Sequence, residues 1–91
     1  MMRICSEYRL RELGDDHLVI GESADGRRNA RRVVRLNESA AFLWRSVVGR
    51  EFNVDTLSLL LQNEYALDAM TAVADAASIL SAWEKAGLVE A

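Results

Sequence analysis

The sequence predicts an α+β fold: a three-stranded antiparallel sheet followed by a three-helix bundle, in a winged-helix-turn-helix-like arrangement. Before Asn37, hydrophobic residues tend to alternate with polar ones, which is the two-residue period of a strand. After Asn37, they recur at three- and four-residue intervals, which is the period of a helix. Because the strands precede the helices instead of alternating with them, we expect the two kinds of element to form separate layers.

Length and composition are those of one ordinary globular domain, and we treat residues 1–91 as a single unit. Hydrophobic residues make up 51% and charged residues 27% of the chain, as in typical globular proteins. Cys5 is the only cysteine, so no internal disulfide can form. The first residues contain no apolar signal-peptide core, and no run approaches the ~20 apolar residues of a membrane helix. We therefore predict a cytoplasmic protein that does not bind membranes.

The strands are predicted from short alternating segments bounded by turn residues. Their order is a strand over residues 7–13, a turn at 14–16, a strand over 17–22, a polar loop over 23–30 and a strand over 31–36. The first two strands pair most simply as a hairpin, and the third completes an antiparallel meander. In the third strand, Val34 and Leu36 share one face, and the residues on the other face are Arg31, Val33 and Arg35.

Three helices follow, and each begins near a polar residue suited to cap a helix: Asn37, Asn53 and Asp68. We predict helices over residues 38–48 and 54–65, and a longer third helix from Asp68 to about residue 86. The third helix has a broad apolar face formed by Val73, Ala76, Ala77, Ile79, Leu80 and Trp83. After this helix, Leu88 and Val89 are expected to fold back onto the core.

Charge is distributed unevenly along the chain. Residues 1–36 contain eight arginines and six acidic residues, whereas residues 37–91 contain three basic and eight acidic residues. The most basic segment holds five arginines within nine residues: Arg27, Arg28, Arg31, Arg32 and Arg35. Such a segment is consistent with a solvated strand edge protected from self-pairing, with a nucleic-acid contact, or with an edge that binds an acidic peptide.

The residues that enzymes use are few and scattered. The chain has one histidine, His17, and one cysteine, Cys5, and their positions indicate a capping or solvated histidine and a bystander thiol. The sequence contains no glycine-rich phosphate-binding loop and no ligand set with metal-binding spacing. No pair of carboxylates is marked as buried, as general acid–base catalysis would require. We therefore predict a protein that is not an enzyme and uses no cofactor or metal.

The junction between the third strand and the first helix resembles a known family. Residues 35–44, RLNESAAFLW, follow the LNxxAxxxW signature of the PqqD-like family, whose members recognise precursor peptides in pathways that modify ribosomally made peptides. The second helix and the closing AGLV segment at residues 86–89 are also similar to the family. The resemblance spans about residues 4–90, nearly the whole chain.

What the resemblance implies is a non-catalytic peptide chaperone, with residues 1–91 as one peptide-recognition domain. Such a protein binds the leader segment of a precursor peptide and presents it to a modifying enzyme, often a radical SAM enzyme. The leader would add to the third strand and lie against the third helix, because an edge strand has unpaired N–H and C=O groups. The residues expected to contact the peptide are Arg31, Arg32, Val33, Val34, Arg35, Val73, Ala76, Ile79, Leu80 and Trp83.

Two alternatives stay open on the sequence alone. One is a winged-helix nucleic-acid-binding protein that uses the arginine-rich segment 27–35, although the acidic pI of about 5.1 makes nucleic acid the weaker choice. The other is a small interaction or structural subunit with no peptide ligand. An exposed third strand could also pair with a second copy and form a homodimer. Leu36 and Trp44 are expected in the core; for Ile79, Leu80 and Trp83 the pattern does not decide between core and peptide.

Overall fold

The architecture follows the order that the two hydrophobic periods predict, strands first and helices second. The computed structural model describes residues 1–21 and 32–91, so the predicted loop 23–30 and Arg31 lie outside the described residues. The described elements are β1 (Arg3–Ile4), β2 (Tyr8–Leu13), β3 (Asp16–Gly21), β4 (Arg32–Leu36), α1 (Glu38–Val47), α2 (Val54–Tyr65), α3 (Ala69–Lys85) and β5 (Val89–Glu90).

The main sheet is three-stranded and antiparallel, in the order β2-β3-β4, which confirms the predicted meander. A two-residue loop, Gly14-Asp15, joins β2 to β3, and Gly14 has a φ of 62° that glycine adopts without strain. The register places Val19 opposite both Leu10 and Val34. Since alternate side chains point to one face, these residues bring the sheet onto the core, where Val19 is fully buried.

All three predicted helix caps are confirmed. The side chains of Asn37, Asn53 and Asp68 each accept a hydrogen bond from the backbone N–H three residues later, at 2.8, 2.9 and 2.7 Å. These bonds satisfy donors that the first turn of a helix otherwise leaves unpaired. α1 ends at Val47, one residue before its predicted end, and Gly49 follows with a φ of 80°.

A second, smaller sheet joins the two ends of the described chain. β1 and β5 pair antiparallel, and beside them the Cys5 N–H donates a hydrogen bond to the Leu88 carbonyl at 2.9 Å. The prediction that every element after Asn37 is helical is therefore wrong. A strand of two residues contains a single hydrophobic period and no repeat of it, so the alternation that reveals longer strands gives no signal here. The predicted return of Leu88 to the core is confirmed, since it is fully buried.

Two tryptophans form the centre of the core. The rings of Trp44 and Trp83 meet edge to face with centroids 5.4 Å apart, and Phe52 packs on Trp83 in the same way at 6.2 Å. Edge-to-face pairs are favourable because the positive ring edge meets the negative ring face. Trp44 and Leu36 are both buried, as predicted. The other large side chains that are completely or almost completely buried are Val19, Leu43, Leu57, Leu61 and Leu88.

The apolar face of α3 is narrower than the sequence predicts. The hydrophobic residues of α3 from Ala72 to Trp83 that are buried or half-buried are Ala72, Ala76, Ile79, Leu80 and Trp83. Val73 is 45% exposed and Ala77 is also exposed, so neither belongs to the buried face. Because an α-helix turns about 100° per residue, positions 73 and 77 rotate away from the core immediately after the buried alanines that precede them.

Candidate functional site

β4 lies at one edge of the main sheet. β3 pairs with one side of β4, and no strand within residues 1–21 or 32–91 pairs with the other side. The hairpin fixes which backbone groups face that free edge. Its two-residue loop closes on a hydrogen-bonded pair, Leu13 with Asp16, and bonded and non-bonded pairs alternate from there along an antiparallel ladder.

Continued across β3, this alternation makes Val19 and Val34 a hydrogen-bonded pair. The residues on either side of Val34 in β4, Val33 and Arg35, therefore direct their N–H and C=O groups to the free edge. Each of them offers one donor and one acceptor. An extended chain laid along β4 would find this short row of backbone groups ready to pair.

A groove of about 240 Å³ lies between the free edge of β4 and α3. One wall comes from β4 and its junction with α1, and the other comes from a single flank of α3. The α3 residues in this wall recur at the three- and four-residue spacing of one helix face. The groove is lined by Val34, Arg35, Leu36, Asn37, Ala40, Ser78, Ile79, Ala82 and Trp83.

The walls combine small side chains with one large aromatic ring. Ala40 and Ala82 present only methyl groups to the groove. Trp83 also lines it, although the residue is only 2% exposed, and its ring is held against Trp44 and Phe52 in the core. The Trp83 Nε1–H is buried and has no hydrogen-bond partner in the described part of the chain. Unpaired buried donors are uncommon in folded proteins, so this N–H is an exception within the core.

Arg35 borders the groove at the free edge of β4, and its side chain lies on the opposite face of the sheet, with that of Val33. Its Nη2 lies 3.4 Å from Asp16 Oδ2, and both side chains are more than half exposed. An ion pair with that much exposure to water contributes little to stability. The Arg35 guanidinium therefore keeps donors available for a further carboxylate.

Glu12 links the β2–β3 hairpin to α1 through polar contacts at the surface. Its Oε1 accepts a hydrogen bond from Arg45 Nη1 at 2.6 Å, and its Oε2 lies 2.5 Å from His17 Nδ1. The sequence predicted His17 as a solvated or capping residue, and the structure places it in this polar cluster with its side chain only 20% exposed. The cluster links two elements that both border the strand-to-helix junction.

The structure brings four of the predicted peptide-contact residues together in the groove: Val34, Arg35, Ile79 and Trp83. Val33 lies in the same strand. Its side chain, like that of Arg35, is on the face of the sheet away from the groove, and Val33 is 58% exposed. Arg32 is part of β4, and Arg31 lies outside the described residues. The predicted residues that do not line the groove are Val73, Ala76 and Leu80. Ala76 is fully buried in the core, and contact of any of these residues with a peptide stays a prediction.

Sequence reasoning missed five residues of the groove: Leu36, Asn37, Ala40, Ser78 and Ala82. The first three belong to the strand-to-helix junction. Leu36 was interpreted from the sequence as a core residue, Ala40 as part of a helical hydrophobic pattern and Asn37 as a helix cap, so their position beside a groove was not predicted. The other two lie on the same flank of α3 as Ile79. Ala82 follows Ile79 by three residues, and Ser78 precedes Ala82 by four. Counting such helical steps from Ile79 to Ala82, and from Ala82 back to Ser78, would have found both.

The site offers binding groups and no evident reactive ones. The described residues contain no group of three or more His, Cys, Asp or Glu side chains placed to hold a metal ion. Burial, with the negative charge of Glu90 and Glu7, raises the pKa of the half-buried Cys5 thiol above its ordinary value. A raised pKa keeps the sulfur protonated at neutral pH and therefore a weak nucleophile. In the described ranges, no helix is both long and apolar enough to cross a membrane.

Most of the chain matches a protein-family model. Residues 24–89 match the family described as "Coenzyme PQQ synthesis protein D (PqqD)". This match covers well over half of the chain and includes β4, all three helices and the groove between β4 and α3. No curated protein sequence matches the chain at a significant level.

Solved structures share the fold. A chain described as "Lasso peptide synthetase B1 complexed with the leader peptide" superposes with a TM-score of 0.71 at 17% sequence identity, over 99% of this chain and 98% of that chain. Another, described as "TbiB1 in Complex with the TbiA(beta) Leader Peptide", superposes with a TM-score of 0.72 at 16% identity, over 97% and 94%. The likeness confirms the α+β fold of a three-stranded antiparallel sheet with three helices.

Proposed function

This chain belongs to the PqqD family, and we propose that it binds the leader segment of a ribosomally made precursor peptide in the groove between β4 and α3. The observation that carries the proposal is a free strand edge beside a largely apolar groove. The two solved structures that share its fold are described as complexes with leader peptides. Their descriptions support the same class of ligand for this chain.

The leader binds as an added strand. The N–H and C=O groups of Val33 and Arg35 face the free edge, and pairing with them extends the ladder by one strand. Main-chain bonds of this kind hold an extended peptide whatever its side chains are. The edge therefore contributes affinity and orientation, and it selects little between leader sequences.

Selection comes from the groove. Every second side chain of an added strand points to the face that the sheet turns toward α3. There it meets Leu36, Ile79 and Trp83, with methyl groups of Ala40 and Ala82 beside them. Aliphatic or aromatic leader side chains bury apolar surface in this space and are favoured by the hydrophobic effect.

Charge favours an acidic leader. The Arg35 side chain extends from β4 beside the free edge, on the face of the sheet away from the groove, and has only a loose partner at Asp16. It can donate to a carboxylate among the leader side chains that point to that face. Exposed charges of this kind accelerate encounter and fix register more than they add affinity. We expect leader binding to slow as ionic strength rises.

The chain itself carries out no chemistry in this proposal. It holds the leader, and a separate modifying enzyme, such as a radical SAM enzyme, acts on the remainder of the precursor. The proposed role is thus that of a peptide chaperone that delivers its cargo to that enzyme.

Fluorescence anisotropy tests the proposal directly. A labelled leader peptide, taken from a short precursor encoded near this gene, and a labelled random DNA duplex are titrated with the protein at about 0.15 M salt, where exposed charges are screened beyond ~8 Å. We expect saturable binding of the leader and no comparable binding of DNA.

Two results would overturn the proposal. One is binding of the duplex alone with a steep salt dependence, which would favour a nucleic-acid-binding function. The other is absence of leader binding combined with a concentration-dependent dimer in sedimentation velocity, since a second copy would then occupy the free edge of β4.

A further inference from the structure

The outer face of the main sheet is an unusual surface for a sheet that covers a core on its other side. Cross-strand register arranges it in two rows, one of which contains Ile20 between Arg9 and Val33. In the other row, Leu18 lies between Arg11 and Arg35. We call these six residues the Arg–aliphatic face. A sheet with one solvated side normally carries polar residues there, whereas the centre of this face is aliphatic.

No described element packs against the Arg–aliphatic face. Tyr8, Val19 and Leu36 point to the opposite side of the sheet, where they join the buried core. Val33 is 58% exposed, and Leu18 and Ile20 are only partly buried. The helices are therefore on one side of the sheet, and the aliphatic centre of the other side is left to solvent within the described part of the chain.

Among the described residues, the arginines of this face have few ion-pair partners. Arg9 and Arg11 form no ion pair within residues 1–21 and 32–91, and Arg35 has only the loose pair with Asp16 at 3.4 Å. A depression of about 110 Å³ lies between Arg9, Arg11, Ile20 and Glu7. Two of its four lining residues are arginines, one is acidic, and Ile20 is the apolar one. This depression fits one protruding side chain of a partner.

We infer that the Arg–aliphatic face docks the modifying enzyme, through an acidic patch on that enzyme with an aliphatic or aromatic side chain at its centre. The inference rests on the proposed function, since it names the partner that receives the leader. Protein interfaces are enriched in arginine around apolar contacts, and complementary charge directs such encounters. The aliphatic centre favours a protein over nucleic acid, because phosphate contacts need polar donors across the surface.

The position of this face explains how docking and leader binding can occur together. Val33 and Arg35 direct backbone groups to the free edge of β4, while their side chains belong to the Arg–aliphatic face. The groove lies on the other side of the same strand, toward α3. An enzyme docked on the outer face thus contacts the strand that carries the leader without covering the groove.

The experiment compares two double charge reversals. Arg9→Glu/Arg11→Glu alters the face, and Arg50→Glu/Lys85→Glu makes the same change in net charge at exposed positions outside the sheet. The probe is the purified maturation enzyme encoded beside this gene, titrated calorimetrically against each protein with and without leader. We expect the first variant to weaken enzyme binding about tenfold or more, with leader affinity unchanged. The control should bind both partners as the original protein does.

A third variant tests the apolar centre of the face separately from its charge. Ile20→Thr keeps a β-branched residue in the strand and removes apolar contact from the centre of the face, so it should also weaken enzyme binding. Far-UV circular dichroism and Tm verify that each variant is folded.

Four outcomes count against the docking surface. The proposal is overturned if folded Arg9→Glu/Arg11→Glu binds the enzyme as tightly as the original protein does. It is also overturned if this variant loses as much affinity for the leader as for the enzyme, because the face would then be part of the leader site. Loss of duplex DNA binding alone would assign the face to nucleic acid, and dissociation of a dimer in sedimentation would assign it to a second copy. If the original protein binds enzyme but no leader, the proposed leader function fails and the docking surface stands.

Discussion

At the scale of single residues, Trp83 has two roles that a sequence pattern treats as exclusive. Its ring packs against Trp44 in the core, and the same residue lines the groove. Ala82 precedes it on the groove side and is exposed. The width of the groove therefore depends on a position where the side chain is small and free to change without disturbing the core.

Enlarging Ala82 should block the leader. Ala82→Phe places an aromatic ring in the groove, and we expect leader affinity to fall about tenfold or more. Ala77→Phe is the matched control, because Ala77 is an exposed alanine of α3 that does not line the groove. Anisotropy titrations measure both, and Tm should change little in either. Equal affinities for the two variants would place the leader elsewhere.

Asp68 should make the stability of α3 depend on pH. The hydrogen bond from the Thr71 N–H holds the pKa of the Asp68 carboxyl below its ordinary value. A lowered folded-state pKa stabilises the protein above the unfolded pKa of about 3.9, and this contribution is lost as pH falls through the folded pKa. Thermal melts of the original protein and Asp68→Ala should differ most near neutral pH, and the difference should shrink as pH falls below about 3.9.

Asp75→Ala is the control for this pH series, since it removes a carboxylate from the same helix without removing a cap. A difference between the original protein and Asp68→Ala that grows toward low pH would contradict the assigned role of the capping carboxylate.

At the scale of elements, β4 serves two partners through alternate residues. Val34 pairs with β3, whereas Val33 and Arg35 turn their backbone groups to the free edge. Removal of a backbone N–H should therefore weaken leader binding at Val33 and lower the stability of the sheet at Val34.

Proline substitution in β4 tests this alternation. Val33→Pro removes an N–H from the free edge, so we expect leader affinity to fall about tenfold or more while the protein remains folded. Val34→Pro removes an N–H that pairs with β3, and we expect a clear fall in Tm. Leader titration and thermal melts are measured for both. An unchanged Kd for folded Val33→Pro would argue against strand addition at this edge.

The elements that the sequence predicts best are those with several hydrophobic periods. β2, β3, β4 and all three helices are recovered because alternation or helical spacing repeats within each. β1 and β5 contain two residues each and were missed for want of a repeat. The groove was only partly predicted. Asn37, which caps α1, and Ala40, which is buried in the core, also line the groove, and hydrophobic periodicity does not reveal a second role of such residues.

At the scale of the whole molecule, the small sheet of β1 and β5 holds the two ends of the described chain against the helices. Met2 bridges to Phe52, and Leu88 is buried beside the tryptophan core. The groove depends on this support indirectly, because Phe52 packs on Trp83.

Truncation of Leu88 should destabilise the entire fold. Leu88 is fully buried, and Leu→Ala changes in cores cost roughly 2–5 kcal/mol. We expect Leu88→Ala to lower the free energy of unfolding by an amount in that range, measured by urea titration. Leu59→Ala is the control, since Leu59 is 61% exposed and its truncation should change stability by less than about 0.5 kcal/mol. Similar losses for both would contradict the assigned core.

The placement of Trp83 gives this protein its own optical signal for ligand entry. The chain has only two tryptophans, and one of them lines the groove while the other touches it in the core. A peptide that enters the groove changes the surroundings of the Trp83 indole, while the Trp44 indole packed against it stays covered in the core. Intrinsic emission, followed in a stopped-flow instrument, would then report arrival and departure of an unmodified peptide in real time.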